Sequence, residues 1–309
     1  MPLAQTIPVR ANVLSLVGHL SLLGSSLWGL LVCAAFTAKQ LSGGMAVLGL
    51  LGLLALTVLA FIAATRVRAL GNIMHEACHG LFLSTPRANA WLGQALGIAL
   101  LQPFNRYAED HASHHSGLGV PELDRDLARY RCALTNEGTT NCFANQIRLT
   151  LRWSILKVGF RARLKCSQDP ALSNVARMLW LALLLAGLAL VTVEFSGLAT
   201  LGLLSSACLF YPALCVWSDI ADHAVPAQPA GRNGRALRFA RNHSFAWQPL
   251  NLLLLPRNDD YHLVHHLRPD LPLASLAREH KRLCAKYPAY ARLQHDIVLA
   301  GRRLTLGPK

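Results

Sequence analysis

The 309-residue chain is predicted to be an all-α integral membrane protein, with four spanning helices in two hairpins and a cytoplasmic helical cap. Three observations predict it. The composition is 53% hydrophobic and only 15% charged, with a mean hydropathy of +0.33, more apolar than a typical soluble domain. Four stretches, 13–38, 44–65, 175–195 and 197–217, are long enough to cross a hydrocarbon core of about 30 Å at about 1.5 Å per residue. The basic residues, finally, gather beyond the same ends of these stretches.

Taken in order, spans 13–38 and 44–65 are joined by "KQLSGG", and spans 175–195 and 197–217 by little more than Ser196 and Gly197. Each pair is therefore a tight hairpin that returns to its starting side. Of 30 Lys and Arg residues, 13 lie between Arg66 and Lys165 and 14 between Arg232 and Lys309, whereas the hairpin tips carry only Lys39. The positive-inside bias puts residues 66–174, residues 218–309 and both termini in the cytoplasm, within one domain covering 1–309. No signal-peptide pattern with a small-residue cleavage site precedes the first span, so the N-terminus is read as retained. Two shorter apolar runs, 88–101 and 252–255, cannot span; they are read as interfacial, re-entrant or buried. The segment "NQIRLTLRWSILKVGFRARLK", Asn145 to Lys165, mixes apolar and basic residues and is read as lying along the interface.

The net charge of +14 is read as attraction to anionic headgroups. The cations flank spans and have little aromatic interleaving, which argues against nucleic acid. Eight cysteines form no Cys-x-x-Cys pair, so free thiols are expected, with Cys78 as packing. No glycine-rich phosphate loop is evident.

The histidines carry the chemistry. "DHASHHSGLG" from Asp110 and "YHLVHHLRP" from Tyr261 repeat one His-x-x-His-His spacing, where 13 histidines placed at random in this chain would give roughly 0.02 copies. Positions i, i+3 and i+4 share a helix face, so His111, His114 and His115 can converge on one point, as can His262, His265 and His266. "HEACHG" adds His75 and His79 at i, i+4. Neutral imidazole suits iron, zinc and copper, and eight box histidines overshoot one zinc and suit two ions. His19, His243, His280 and His295 stand alone and are read as surface or packing residues. All three boxes fall in the cytoplasmic segments, above the bilayer.

In order and spacing, "HEACH", "HASHH" and "HLVHH", with two spans between the second and third, resemble the membrane fatty acid desaturase and hydroxylase superfamily. The resemblance covers roughly residues 45–285. The longer strings "HHSGLGVPELDRDL" and "YHLVHHLRPDLP" are similar to bacterial and sphingolipid-type desaturases, which implies a bacterial inner membrane. A third box that opens with His262, and not with glutamine, argues against the front-end subgroup. The resemblance implies a cytoplasmic diiron site that uses O2 and external electrons to desaturate a fatty acyl chain. On the same core, a hydroxylase or ketolase of a lipid or terpenoid is the alternative. It also implies a ninth ligand, His223, just beyond the fourth span, with a polar residue four positions earlier facing the metal. That position is Asp219, able to ligate directly or to support an imidazole, and Asp222 is its adjacent candidate.

With no heme, ferredoxin or flavin fingerprint in the chain, electrons are expected from a separate ferredoxin or cytochrome b5 type carrier, which the basic surface would attract. A zinc-dependent hydrolase or receptor would need fewer ligands. A metal transporter would place its ligands near mid-membrane, where these spans have almost none.

Overall fold

Gly43 and Gly44 close the first hairpin, Gly44 in the left-handed region at φ 72°. They join helix α1 (Val9–Ser42) to helix α2 (Ala46–Cys78). The computed structural model describes residues 7–126, 142–152, 169–223, 235–291 and the backbone of 294–296. Both helices run past the expected spans. A Cβ at Gly52 would run into the Thr37 side chain, and one at Gly49 into Leu41, so these glycines let α1 and α2 pack closely. Leu30, Ala34, Leu56, Ala60 and Ala199 form the core at that contact.

Helix α2 continues for 33 residues, about 50 Å, without a break. That exceeds a hydrocarbon core of about 30 Å, so the rigid rod that can cross a membrane also extends beyond it and carries His75 near its end. Helix α3 (Pro86–Ala99) follows, started by Thr85, whose side chain accepts from the Ala88 amide at 3.2 Å, and by Pro86 at the first turn. Buried Asn89 accepts from the amides of Phe82 and Leu83 and donates to the carbonyls of Gly80, Leu83 and Thr85, which fixes the loop after the first box. The expected apolar run 88–101 is this helix, packed on α2 and bonded to the third span by Trp180 Nε1 at 3.2 Å from the Ala99 carbonyl.

Helix α4 (Phe104–Gly117) carries the second box. Its start is capped from a distance: the Asp169 carboxylate accepts from the Phe104 and Asn105 amides at 3.1 and 2.7 Å and pairs with Arg177. Helix α5 (Phe143–Thr150) packs on the fourth span, where Gln146 accepts from Trp217 Nε1 at 2.8 Å. The described part of the expected interfacial segment is thus packed against protein, because Gln146, Leu149 and Thr150 have a buried face to dock against; residues 153–165 of it lie outside the described residues.

The second hairpin consists of α6 (Ala171–Glu194), which has no buried residue, and the fourth span, Gly197–Asp222. That span is built from α7 (Gly197–Leu204), a π-helical turn (Ser205–Phe210) and α8 (Tyr211–Asp222). Length and apolar composition make all four helices able to cross a membrane, and exposed Leu14, Trp28, Leu50, Leu183, Val193 and Leu201 give them apolar outer faces.

The cap follows as α9 (Arg235–Phe239), strand β1 (Asn242–Ser244), α10 (Gln248–Leu254), a 3-10 turn (Asp259–Tyr261), α11 (His262–Leu267), α12 (Leu273–Lys286), α13 (Pro288–Ala291) and strand β2 (Gln294–Asp296). The strands pair in parallel, His243 opposite His295, a small exception to an all-helical chain. Helix α10 ends on carbonyls that need donors. Arg66 and Arg68 of α2 supply them, to Leu252 and Leu253 at 3.3 and 2.9 Å and to Leu254 at 2.8 Å. In the expected run 252–255, Leu254 and Leu255 are buried beside Trp217 and Phe245, whereas Leu252 is exposed. Among the described residues every cysteine is a free thiol, Cys78 included.

Candidate metal centre

Four chain segments deliver the histidines: the upper end of α2 with the residue that follows it, the inner face of α4, the residue after α8, and α11. Nine rings meet in two groups. The first holds His75, His79, His111, His115 and His265; the second holds His114, His223, His262 and His266. The boxes do not each converge on one point. The second and third are each split, because i and i+4 lie about 40° apart around a helix whereas i+3 and i+4 lie about 100° apart, and His75 and His79 of the first stay together. Helix α4 sends its i, i+4 pair, His111 and His115, to the first group and His114 to the second. Helix α11 does the reverse, sending His262 and His266 to the second and His265 to the first.

The first group has a definite shape. Ring centroids 4.4 Å apart for His75–His111 and His111–His115, 4.7 Å for His115–His265 and 4.6 Å for His265–His75 close a square. His79 lies 4.9, 4.9, 5.0 and 4.8 Å from His75, His111, His115 and His265, near-perpendicular to each. Five donors thus form a square pyramid with His79 at its apex. The direction opposite His79 carries no histidine of this group. In the second group the Nε2 atoms of His114 and His223 are 3.2 Å apart, those of His223 and His262 3.3 Å, and those of His262 and His266 3.0 Å. The groups adjoin where His115 and His266 lie 4.4 Å apart.

These distances fit a metal. Donors about 2.1 Å from one ion and about 90° apart lie about 3.0 Å from each other. Within the first group the contacting Nε2 atoms are 2.8 to 3.0 Å apart. Burial also keeps the rings in their donor state: it lowers His79 to about 4, and burial with the neighbouring ring His114 lowers His262 to about 3. His111, His265 and His266 are likewise lowered, by burial first and then by their neighbours. Packed lone pairs without protons repel, and a cation between them removes that cost.

Around the rings lies a layer of acceptors. The His114 Nδ1–H points at both oxygens of Asp124, at 3.1 and 3.2 Å. His223 Nδ1–H donates to the Asp219 backbone carbonyl at 2.6 Å. Asp219 thus supports a ring through its main chain, and its carboxylate belongs to neither group. The reason is local: His223 follows the last turn of α8 in extended conformation, within reach of the carbonyl four residues back. The Asp222 carboxylate accepts from Ser218 at 2.7 Å and faces His243 at 3.4 Å and His262 at 3.9 Å. Beneath it Arg68 pairs with Asp259 and donates to Ser218. Burial works to raise the Asp259 carboxyl, but Arg68 beside it prevails and holds it low.

Of the histidines read as isolated, His243 is buried next to Asp222 and His19 faces Arg66 at 3.4 Å. His280 is bonded to Tyr290 at 2.9 Å, and His295 lies in β2. Asp124 and Arg68 are the contributors that the sequence did not single out. For Asp124 the signal was present, a carboxylate ten residues past His114, between Glu122 and Asp126. For Arg68 there was none, since it looked like one more cation flanking a span.

A cavity of about 150 Å³ opens beside the rings, bounded by His75, His111 and His262 and by a polar wall that includes Asn72, Tyr107 and Ser218. The description "Fatty acid desaturase" belongs to a protein family whose model matches residues 50–297. No curated protein matches the chain.

Proposed function

The chain belongs to the fatty acid desaturase family and is a membrane oxidoreductase of the desaturase or hydroxylase class; from that premise we propose that it desaturates a fatty acyl chain with O2 at a diiron centre. The single observation that carries this reading is the convergence of nine imidazoles into adjoining groups of five and four. In it His75, His79, His111, His115 and His265 hold one iron, and His114, His223, His262 and His266 hold the other. Reduced iron with dioxygen supplies an oxidant able to take hydrogen from an unactivated alkyl carbon.

The residues do the rest. Asp124 and the Asp219 carbonyl hold His114 and His223 with Nδ1 protonated, so that each presents Nε2 to the group. Asp222, fixed by Ser218, faces the outer edge of His262. The α2 rod sets the height of the centre above the bilayer, and the cavity wall orients the chain and limits water, which decides which hydrogen is reached. Electrons come from a separate ferredoxin or cytochrome b5 type partner that meets the basic side, taken here as cytoplasmic in a bacterial inner membrane.

The polar wall of the cavity favours one second reading: a hydroxylase or ketolase whose lipid or terpenoid substrate carries an oxygen near the reacting carbon. The test is mass spectrometry of lipids and acyl thioesters from cells expressing the chain or its His265→Ala variant under ¹⁸O2. A new alkene without label, absent in the variant, is expected. A product retaining the label overturns desaturation in favour of the second reading.

A further inference from the structure

A second cavity, of about 430 Å³, lies between the start of α1, the middle of α2 and the segment 248–261. That volume is in the range of small-molecule sites, about 300–1,000 Å³. Only the first cavity borders the histidine groups.

Its walls are cationic. Arg66 is 6% exposed, and among the described residues no carboxylate pairs with it; its contacts are two carbonyls, the Thr65 hydroxyl at 3.2 Å and the His19 ring. Arg257 has a side chain 6% exposed, donates to Ser15 at 2.8 Å and Asn12 at 3.1 Å, and pairs with Glu76, yet its buried Nε has no acceptor. Arg257 and Asn258 both sit in the left-handed region, at φ 65° and 59°. Among the described residues Asp260 is the one acidic residue on the wall, and Glu76 is the partner of Arg257. Arg66 is thus a buried guanidinium with no carboxylate partner among the described residues, which is costly, and an anion is its natural complement.

The height of the site identifies that anion. Residues 46–65 form an unbroken apolar stretch of about 20 residues, about 30 Å long, which matches the hydrocarbon thickness. Arg66 follows immediately and therefore stands at the level of the headgroup phosphates. Leu252, which lines the cavity, is 66% exposed beside it and offers acyl chains an apolar flank.

We infer that this cavity is a binding site for the phosphate of a membrane phospholipid headgroup, held by Arg66 and Arg257, apart from the histidine centre and independent of the reaction run there. The full chain in a non-ionic detergent is titrated with phosphatidylglycerol, with diacylglycerol, which lacks the phosphate, and with coenzyme A, a soluble phosphate carrier. Binding is read by native mass spectrometry. Phosphatidylglycerol should bind and diacylglycerol should not. Ala11→Asp, which adds a negative charge to the wall at an exposed position, and Arg66→Gln should each weaken binding on the order of tenfold. Melting temperature and metal content of Ala11→Asp should match wild type, so the result does not depend on folding or on the centre. Equal affinity of wild type and Ala11→Asp for phosphatidylglycerol overturns the site. Variant-sensitive binding of coenzyme A in place of phosphatidylglycerol overturns the lipid assignment.

Discussion

Asp124→Asn tests the layer behind the histidines. Asp124 is 3% exposed, and both of its oxygens act as acceptors: Oδ1 from the Asp126 amide at 3.0 Å, Oδ2 from the Gly119 amide at 2.9 Å, and the two together from His114 Nδ1–H. An asparagine has one acceptor oxygen, so its NH2 group must face one of those N–H donors. The unmet buried donor costs about 1–3 kcal/mol of stability. Loss of the charge behind a ligating imidazole lowers metal affinity by about 10–100-fold, or about 1.4–2.8 kcal/mol. Iron per chain is followed during dialysis against a graded chelator. Wild type should hold both ions to a given chelator strength, and Asp124→Asn should release that of the second group first and stop near one ion per chain. If the variant follows the wild-type release curve, Asp124 does not support that group.

Protein handled without chelators should contain about two irons per chain, and His114→Ala or His265→Ala should abolish turnover with membrane insertion intact; one tightly held zinc, with no activity on iron loading, would sink the diiron reading. For metal-stripped protein, the folded-state values of His79 at about 4 and His262 at about 3 lie below the ordinary 6.5, so between them the unfolded chain binds more protons. Stability is then fully present above about pH 6.5 and falls as the pH drops towards 4, and thermal melts at pH 7.5 and 5.5 should differ in that direction. Gly93→Ala drives a Cβ into the Phe104 ring at the start of α4, and a loss of about 1–3 kcal/mol should appear as a lower melting temperature. Reporters fused after Lys165 and Lys309 should read cytoplasmic and one near Ser42 external; a cytoplasmic reading at Ser42 would require redrawn spans.

What was legible followed from short periodicities. The four spans and the three boxes show in runs of about twenty apolar residues and in i, i+3, i+4 spacing, both properties of a single helix. How the boxes divide was not legible, because sending His114 away from His111 and His115 depends on where α4 lies between two centres, which the tertiary fold sets. The same holds for Arg68, whose partners Asp259 and Ser218 are 191 and 150 residues away. Nor was the main-chain role of Asp219 legible, since the His223 ring rests on a carbonyl that any amino acid would supply.

The π-helical turn at Ser205–Phe210 has a consequence for engineering. A π turn holds one residue more than the α-helix around it, and each residue advances the winding by about 100° and about 1.5 Å. Deleting one residue there, such as exposed Cys208, would let the span rewind as plain α-helix with its ends still able to reach both sides of the bilayer. The helix after the turn would keep its facing, so His223 would still meet His114 and His262, whereas the same deletion in α8 would swing everything downstream by about a quarter turn. The turn is thus one residue of slack deep among the lipids, which the span can lose without changing the aim of a donor in the aqueous cap, and an aligned sequence would show it only as a one-residue gap.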